Sequence, residues 1–242
     1  MRGTIPKTLG LIAALVALTL ESVQATEISG VPTITDADTV VIDGLSIRLF
    51  GIDAPESDQI CLDKNSAFVQ CGIKARDALR EQFGGKPWTC RTIGKQTYGR
   101  ALATCFVDQE DVNRWIVLNG WALSFRRYEH PYDREEQHAH DQCTGLWAWS
   151  FHAPWDWRRR NCNTEIVGCV SVPIDAREKL CGPRSLPPDP QCTIKSTTRG
   201  GECIYHVEGG HYYGALNMSG SNKRWFCSEA DAQAAGCRRS KR

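Results

Sequence analysis

The sequence predicts an α+β fold dominated by a five-stranded β-barrel with three helices, followed by a small disulfide-rich C-terminal module. Three observations support this fold class. Five short runs rich in Val, Ile and Thr are separated by turn residues. Segments with helical spacing and capping signals follow the third run and the fifth run. Twelve cysteines occur among 242 residues, a density typical of exported, disulfide-bonded chains.

The five apolar runs have the length and composition of β-strands. The predicted strands are residues 28–34, 39–42, 46–52, 88–93 and 101–107. The first three are separated by the turn signals Asp-Ala-Asp and Asp-Gly, so we expect them to be consecutive antiparallel strands.

Three segments predict helices. Residues 73–83 place apolar side chains on one face at helical spacing and end before two glycines. Asp111 is expected to cap a short second helix. A third helix is expected to run from Asp133, which has capping-box spacing with Glu136, to Gly145. Three strands, a helix, two strands and further helices form the order of an OB-fold barrel, although periodicity alone leaves another small α+β fold open.

The N-terminus predicts a secretory signal peptide. Arg2 and Lys7 form a basic start, residues 9–20 are apolar, and residues 23–25 resemble a cleavage site. A membrane anchor is the weaker alternative, because a spanning helix needs about 20 apolar residues. The next cysteine is Cys61, which argues against a lipid anchor. We therefore expect a secreted or periplasmic chain without a stable membrane anchor.

Composition divides the chain into parts. The expected parts are a signal peptide (1–25), a barrel domain (26–157), a Pro- and Cys-rich linker (158–191) and a small Cys-rich tail module (192–242). Residues 26–157 contain 13 Lys and Arg against 19 Asp and Glu, whereas residues 158–242 contain 14 against 8. The basic composition of the tail indicates a surface that attracts polyanions. A charged surface that is only solvated explains the same composition nearly as well.

A series of short strings runs through the first domain. In order, they are Asp36-Ala-Asp-Thr-Val, Ile47-Arg-Leu-Phe-Gly-Ile-Asp-Ala-Pro-Glu56, Tyr98-Gly-Arg100, Asp111-Val-Asn113 and Gly120-Trp-Ala. Their order and spacing resemble the staphylococcal nuclease (thermonuclease) family. In the tail, the strings Ile204-Tyr-His206, Gly209-Gly-His-Tyr-Tyr213 and Trp225-Phe-Cys-Ser-Glu-Ala-Asp-Ala resemble the "sunset" module that often follows such domains. The resemblance implies an exported, Ca²⁺-dependent, sugar-non-specific nuclease with DNA and RNA as substrates, and we expect a monomer without an obligate protein partner.

The resemblance also assigns catalytic roles. It places the two catalytic arginines at Arg48 and Arg100, the general base at Glu56, and substrate contacts at Tyr98 and Tyr128. The chemistry agrees, because phosphodiester hydrolysis builds negative charge that cationic donors must hold. A guanidinium binds two oxygens at once and stays charged at physiological pH. A carboxylate can activate the attacking water.

The expected metal ligands are oxygen donors. Asp38 and Asp53 come from neighbouring strands and suit Ca²⁺ better than a transition metal. The resemblance implies the same ion and adds the backbone carbonyl of Ala54. Asp36 and Thr39 are expected to lie next to these ligands and to help position them without binding the ion themselves. Taken singly, each charged residue has a plainer explanation as a turn residue, a solvated loop residue or a surface ion pair.

Three positions depart from the family pattern. Ala37 replaces a glycine, which would cost about 1 kcal/mol if the turn needs a positive φ. Thr97 replaces a basic residue, and Arg126 stands where a substrate-stacking aromatic is expected. These departures keep a second function open, a catalytically silent barrel that binds nucleic acid or protein.

The cysteines are expected to form disulfides. Cys61 and Cys71 lie near the ends of a long loop, and Cys90 and Cys105 lie on strands expected to be neighbours, so each pair is a candidate. In the tail a zinc site is the weaker alternative. Its candidate ligands are Cys192, Cys203, His206, His211 and Cys227.

Overall fold

The computed structural model describes most of the chain. The described residues are 26–93, 99–127, 131–159, 161–181, 187, 191–218 and 222–241. The expected signal peptide lies outside them, as do Thr97, Tyr98 and Tyr128. Among the described residues, no helix has the length and apolar character needed to cross a bilayer.

Short strands form most of the regular structure. They are β1 (Glu27–Gly30), β2 (Thr33–Asp36), β3 (Thr39–Ile42), β4 (Leu45–Leu49), β5 (Ile52–Asp53), β6 (Cys61–Leu62), β7 (Phe68–Val69), β8 (Trp88–Thr92), β9 (Ala101–Val107), β10 (Glu110–Asp111), β11 (Leu123–Ser124), β12 (Phe151–His152), β13 (Ile166–Val167), β14 (Ile194–Arg199), β15 (Glu202–His206), β16 (Lys223–Phe226) and β17 (Cys237–Arg239).

Six helices accompany the strands. They are α1 (Cys71–Phe83), α2 (Val112–Leu118), α3 (Asp133–Asp141), α4 (Pro154–Arg159), α5 (Ala176–Cys181) and α6 (Glu229–Ala234) among the described residues, with a 3₁₀ turn at Gly145–Ala148. This strand-dominated mixture confirms the predicted α+β class. Asp111 caps α2 as expected, because its side chain accepts the Arg114 N–H at 2.9 Å.

The main sheet has seven strands in the order β1-β8-β9-β4-β3-β2, with β10 also paired to β9. Neighbours are antiparallel except β4 and β9, which are parallel. The predicted first strand, 28–34, is wrong as a single element. It breaks before β2 at Pro32, which has no backbone N–H to donate to a ladder, and β1 pairs with β8 instead of β2.

Helix α3 also differs from its prediction. It ends at Asp141, its N-cap is Tyr132, and no side chain caps it, so the expected capping box is absent. Glu136 instead accepts the Ser124 N–H at 2.5 Å and pairs with Arg126 at 2.7 Å. A carboxylate engaged with the preceding strand β11 and with Arg126 cannot also fold back onto the start of its own helix.

The buried side of the main sheet holds the principal core. Side chains alternate between buried and half-buried along β9, as expected for a strand with one face on a core. The buried side chain of Asn113 crosslinks this core. It accepts the Cys105 N–H at 3.1 Å and donates to the carbonyls of Phe50 at 2.9 Å and Ala103 at 3.2 Å. These bonds hold the chain leaving β4 against β9.

Five disulfides are present among the described residues. They join Cys61–Cys71, Cys90–Cys105, Cys162–Cys181, Cys192–Cys227 and Cys203–Cys237. The first two are the pairs proposed from sequence. The last two use three of the candidate zinc ligands in the tail, so the zinc alternative is wrong for them. Cys143 and Cys169 are free.

The C-terminal region forms a second sheet in the order β16-β14-β15-β17. The stretch interpreted as a linker contains regular structure before that sheet. Its strand β13 pairs with β12, and Leu180 of α5 packs in one buried cluster with Ile60, Leu62 and Trp157. Residues 161–181 are therefore packed onto the preceding region.

Candidate active site

The candidate site lies around the ends of β2 and β5 and the side of β4. Asp36 is the last residue of β2 and Asp38 is in the following turn, while Arg48 lies on β4 between β3 and β9. Asp53 ends β5. An interior strand has little backbone freedom, so Arg48 presents its guanidinium from a rigid base. Ala37 is buried and does not have a positive φ. The free-energy cost expected for replacing a glycine at a positive φ therefore does not arise.

Arg48 joins the two expected metal-binding aspartates. Its Nη1 donates to Asp38 Oδ1 at 3.0 Å, and its Nη2 lies 2.9 Å from Asp38 Oδ2 and 2.6 Å from Asp53 Oδ1. The side chains of Asp38 and Asp53 are 5 % and 0 % exposed. Thr39 Oγ1 and the Ala54 N–H also donate to Asp38, at 2.9 and 3.0 Å. Buried carboxylates need such partners to remain charged.

Glu56 is held by the start of α1. The Glu56 carbonyl accepts the Gln59 N–H at 2.7 Å, and Gly72 packs directly against the same carbonyl. A Cβ at position 72 would lie 1.7 Å from that oxygen, so only glycine allows this approach. The Cys61–Cys71 disulfide ties the same loop to the helix. The next residue, Ser57, donates to Asp36 Oδ1 at 2.6 Å.

Two further arginines reach the site, and sequence reasoning missed both. Arg158 Nη1 donates to Glu56 Oε1 at 2.8 Å, and its Nη2 donates to Asp53 Oδ2. Arg224 Nη2 lies 3.5 Å from Glu56 Oε2. The only sequence signal was the basic composition of the C-terminal part of the chain, which does not indicate where a side chain points.

Arg100 lies beside this cluster in the fold but outside its ion pairs. It directly precedes β9, whose Leu102 is the register partner of Arg48. Among the described residues, Arg100 forms no ion pair with a carboxylate of the site. Tyr98 and Tyr128 lie outside the described residues, so their roles stay predictions. Arg126 pairs with Asp133 at 3.0 Å as well as with Glu136, so its guanidinium binds two carboxylates of helix α3.

Burial, together with neighbouring carboxylates, changes the acidity of two aspartates in the site. Burial raises the pKa of Asp53 to about 6, with the nearby charge of Asp38 acting in the same direction. Burial also raises the pKa of Asp36 to about 6, and Glu56 adds to this shift. Both carboxyl groups are therefore harder to ionise in the fold than in water, chiefly because they are buried.

The donor set suits a hard cation. Asp38 and Asp53 both place an oxygen within hydrogen-bonding distance of the single nitrogen Arg48 Nη2, so both carboxylates face one small volume. Oxygen-only donors fit Ca²⁺, which completes its shell with backbone carbonyls and water. No group of three or more His, Cys, Asp or Glu side chains surrounds a common metal position in the described part of the chain. The side chains can thus supply two ligands.

The raised pKa of Asp36 predicts a pH-dependent stability. The ordinary value of 3.8 applies when the chain is unfolded, against about 6 in the fold. The ionised form is therefore the costly one in the folded state, and stability falls as pH rises through this window. Asp36→Asn keeps an acceptor for Ser57 and removes the charge, so it should stabilise the metal-free protein by about 3 kcal/mol at pH 7.

This gain should shrink to well under about 1 kcal/mol at pH 4, because folded Asp36 is then protonated and unfolded Asp36, with its pKa of 3.8, is partly protonated too. Urea unfolding in chelator at pH 4 and pH 7 measures it. The matched control is Asp43→Asn in an exposed turn, which should change stability little. A gain of equal size at both pH values would contradict the assignment.

A family model and several individual proteins match the same part of this chain. Residues 46–149 match the family described as "Staphylococcal nuclease homologue". The chain is 34 % identical over 145 residues to the succinoglycan biosynthesis protein ExoI of Rhizobium meliloti (strain 1021), which covers 58 % of this chain and 75 % of that protein. It is 30 % identical over 135 residues to an "Uncharacterized endonuclease" of Haemophilus influenzae, covering 52 % and 70 %.

A micrococcal nuclease of Shigella flexneri is 29 % identical over 148 residues, covering 54 % of this chain and 79 % of that protein. Staphylococcal-like nucleases of rice are longer, and the chain spans 21 to 34 % of them. The family match includes Arg48, Asp53, Glu56 and Arg100, whereas Arg158 and Arg224 lie beyond it. It does not extend to residues 192–242, so the resemblance of the tail stays an expectation.

Proposed function

This chain belongs to the staphylococcal nuclease family, and from that premise we propose that it is an exported, Ca²⁺-dependent nuclease that hydrolyses phosphodiester bonds of DNA and RNA. One observation carries the proposal. A single guanidinium, that of Arg48, is held by two buried carboxylates beside Glu56. Cationic donors that hold the phosphate oxygens and a carboxylate that can take a proton from water are the groups that phosphodiester hydrolysis requires.

In this proposal, Arg48 and Arg100 hold the phosphate oxygens on which charge develops. Glu56 takes a proton from the attacking water through a carboxylate oxygen. Asp38, Asp53 and the Ala54 carbonyl would hold Ca²⁺, which when bound supplies positive charge that polarises the phosphate. Asp36 and Thr39 support this set, because Asp36 is bonded to Ser57 and Thr39 to Asp38.

The disulfides support export. Five disulfides among the described residues are typical of a chain that folds in an oxidising compartment. The expected signal peptide at residues 1–25 would deliver the chain to such a compartment.

A second candidate function is a silent barrel that binds nucleic acid or protein. The contacts of Arg158 with Glu56 and Asp53 favour it, because they neutralise groups that the nuclease would use. The two functions differ in chemistry, since binding alone needs no general base.

Incubation of the purified mature protein with plasmid DNA and with RNA separates the two functions. We expect cleavage of both with Ca²⁺, loss of cleavage in chelator, and poor substitution by Zn²⁺, because the expected ligands are hard oxygen donors. A mobility-shift assay on the same samples detects binding without cleavage. Cleavage that survives exhaustive chelation would exclude the metal, and retention of nucleic acid without cleavage would favour the silent barrel.

A further inference from the structure

Glu56 has one arginine on each carboxylate oxygen, and neither belongs to the part of the chain that matches the family. Oε1 accepts from Arg158 on α4, and Oε2 faces Arg224 on β16. The Glu56 side chain is 16 % exposed. Both oxygens of this carboxylate are thereby contacted by residues that lie 102 and 168 positions away in the chain.

The C-terminal sheet is anchored next to the site by independent contacts. Helix α6 lies beside β2, and its Asp231 pairs at 2.8 Å with Arg76 of α1, whose side chain is 2 % exposed. The side-chain amide of Gln70 lies 2.8 Å from the sulfur of Cys192 and 2.8 Å from that of Cys227. The Arg76–Asp231 ion pair and the contact of Gln70 with the Cys192–Cys227 disulfide therefore hold the C-terminal sheet against the first region.

Arg224 faces the carboxylates of the first region. Ser196 of β14 is its register partner, and the half-buried Arg224 side chain leaves the sheet toward the first region. Burial lowers the pKa of Arg224, and the attraction of Asp58, Glu56 and Asp36 outweighs this, so the pKa lies above its ordinary value. The positive charge of Arg224 thus offsets part of the negative charge of these three carboxylates, and its guanidinium also contacts Glu56 directly.

We propose that the C-terminal sheet completes the active site by supplying Arg224 as a positioning residue, which together with Arg158 orients the carboxylate of Glu56. This inference rests on the proposed nuclease function. A general base must lie within hydrogen-bonding distance of the water that it activates, and small misplacement of a catalytic group lowers turnover strongly. Arg224 acts through Glu56 and does not touch the reacting atoms.

The test compares Arg224→Gln and Arg224→Lys with a control, Arg238→Gln. Arg238 lies in the same sheet and pairs with the exposed Glu202, far from the site in its contacts. We expect Arg224→Gln to lower kcat about tenfold with KM changed less than about twofold, since substrate contacts remain. Lysine keeps the charge and should recover part of kcat. The control should retain the parental values. An unchanged or raised kcat in Arg224→Gln would overturn the proposal.

A second measurement does not depend on activity. Urea unfolding of Arg224→Gln, Glu56→Gln and the double variant forms a double-mutant cycle. We expect the unfolding constant of the double variant to differ at least about threefold from the product of the single effects. Purely additive effects would overturn the contact on which the proposal rests. If the cycle shows coupling but the parental protein does not cleave with Ca²⁺, the nuclease function fails while the contact stands.

Discussion

Arg48→Ala should lower kcat at least about 100-fold, because its guanidinium holds charge that is largest in the transition state. The structure adds a second expected effect. Removal of Arg48 leaves Asp38 without its cation and Asp53 with Arg158 alone. Loss of one partner of a buried pair costs about 3 kcal/mol, so this variant should also unfold more easily in urea.

Arg100→Ala is the informative counterpart. Arg100 makes no ion pair with the described carboxylates of the site, so its removal should lower kcat by a similar factor of about 100 with little loss of stability. Steady-state kinetics at a temperature where all variants are folded, together with urea unfolding, separates the two effects. Near-normal turnover in either variant would remove the proposed mechanism. Equal destabilisation in both would contradict the distinct roles.

Glu56→Gln should lower kcat by about 10² to 10³, because the amide keeps the shape of the side chain but cannot take a proton. Folding should be retained, since the amide oxygen can still accept from Arg158. Ca²⁺ binding measured by calorimetry should also persist, because the expected ligands are other residues.

The control for this variant is Glu81→Gln, an exposed carboxylate on α1. It removes the same charge from the protein without touching the site, so its kinetics should match those of the parent. Cleavage by Glu56→Gln at the parental rate would end the general-base assignment. A parallel loss of Ca²⁺ binding would instead place Glu56 among the metal ligands.

The basic composition of the C-terminal part has a different meaning in the structure. Arg158 and Arg224 point into the acidic site, and Arg238 and Arg239 pair with Glu202 and Glu229. Deletion of residues 158–242 would therefore remove two cations from the site and expose the buried Arg76. The activity of such a truncated protein would therefore reflect the loss of these site contacts as well as any loss of long-range attraction for nucleic acid.

Several features could be predicted from sequence because short-range geometry enforces them. Arg48, Asp53 and Glu56 occur within nine residues, so a strand and a tight turn bring them together in any fold with that local structure. The Asp111 cap depends on one turn of helix. The Cys90–Cys105 disulfide joins two adjacent antiparallel strands.

Other features depended on choices between competing local partners. Residues 28–34 have strand composition throughout, but Pro32 separates a segment that pairs with β8 from one that pairs with β3. Glu136 has capping-box spacing, but the Ser124 N–H and Arg126 offer it buried partners that the helix start cannot match. Propensity alone does not decide such cases, because tertiary partners change the balance of free energy.

The sequence by itself determined the α+β class, the family strings and the identity of the catalytic candidates, all of which depend on residues close together in the chain. Only the tertiary structure decided that Arg158 and Arg224 meet Glu56 and that Asp231 meets Arg76 across 155 residues. The physical reason is that these contacts depend on how whole sheets and helices pack. A charged side chain has no local signal for a partner that packing brings to it from a distant part of the chain.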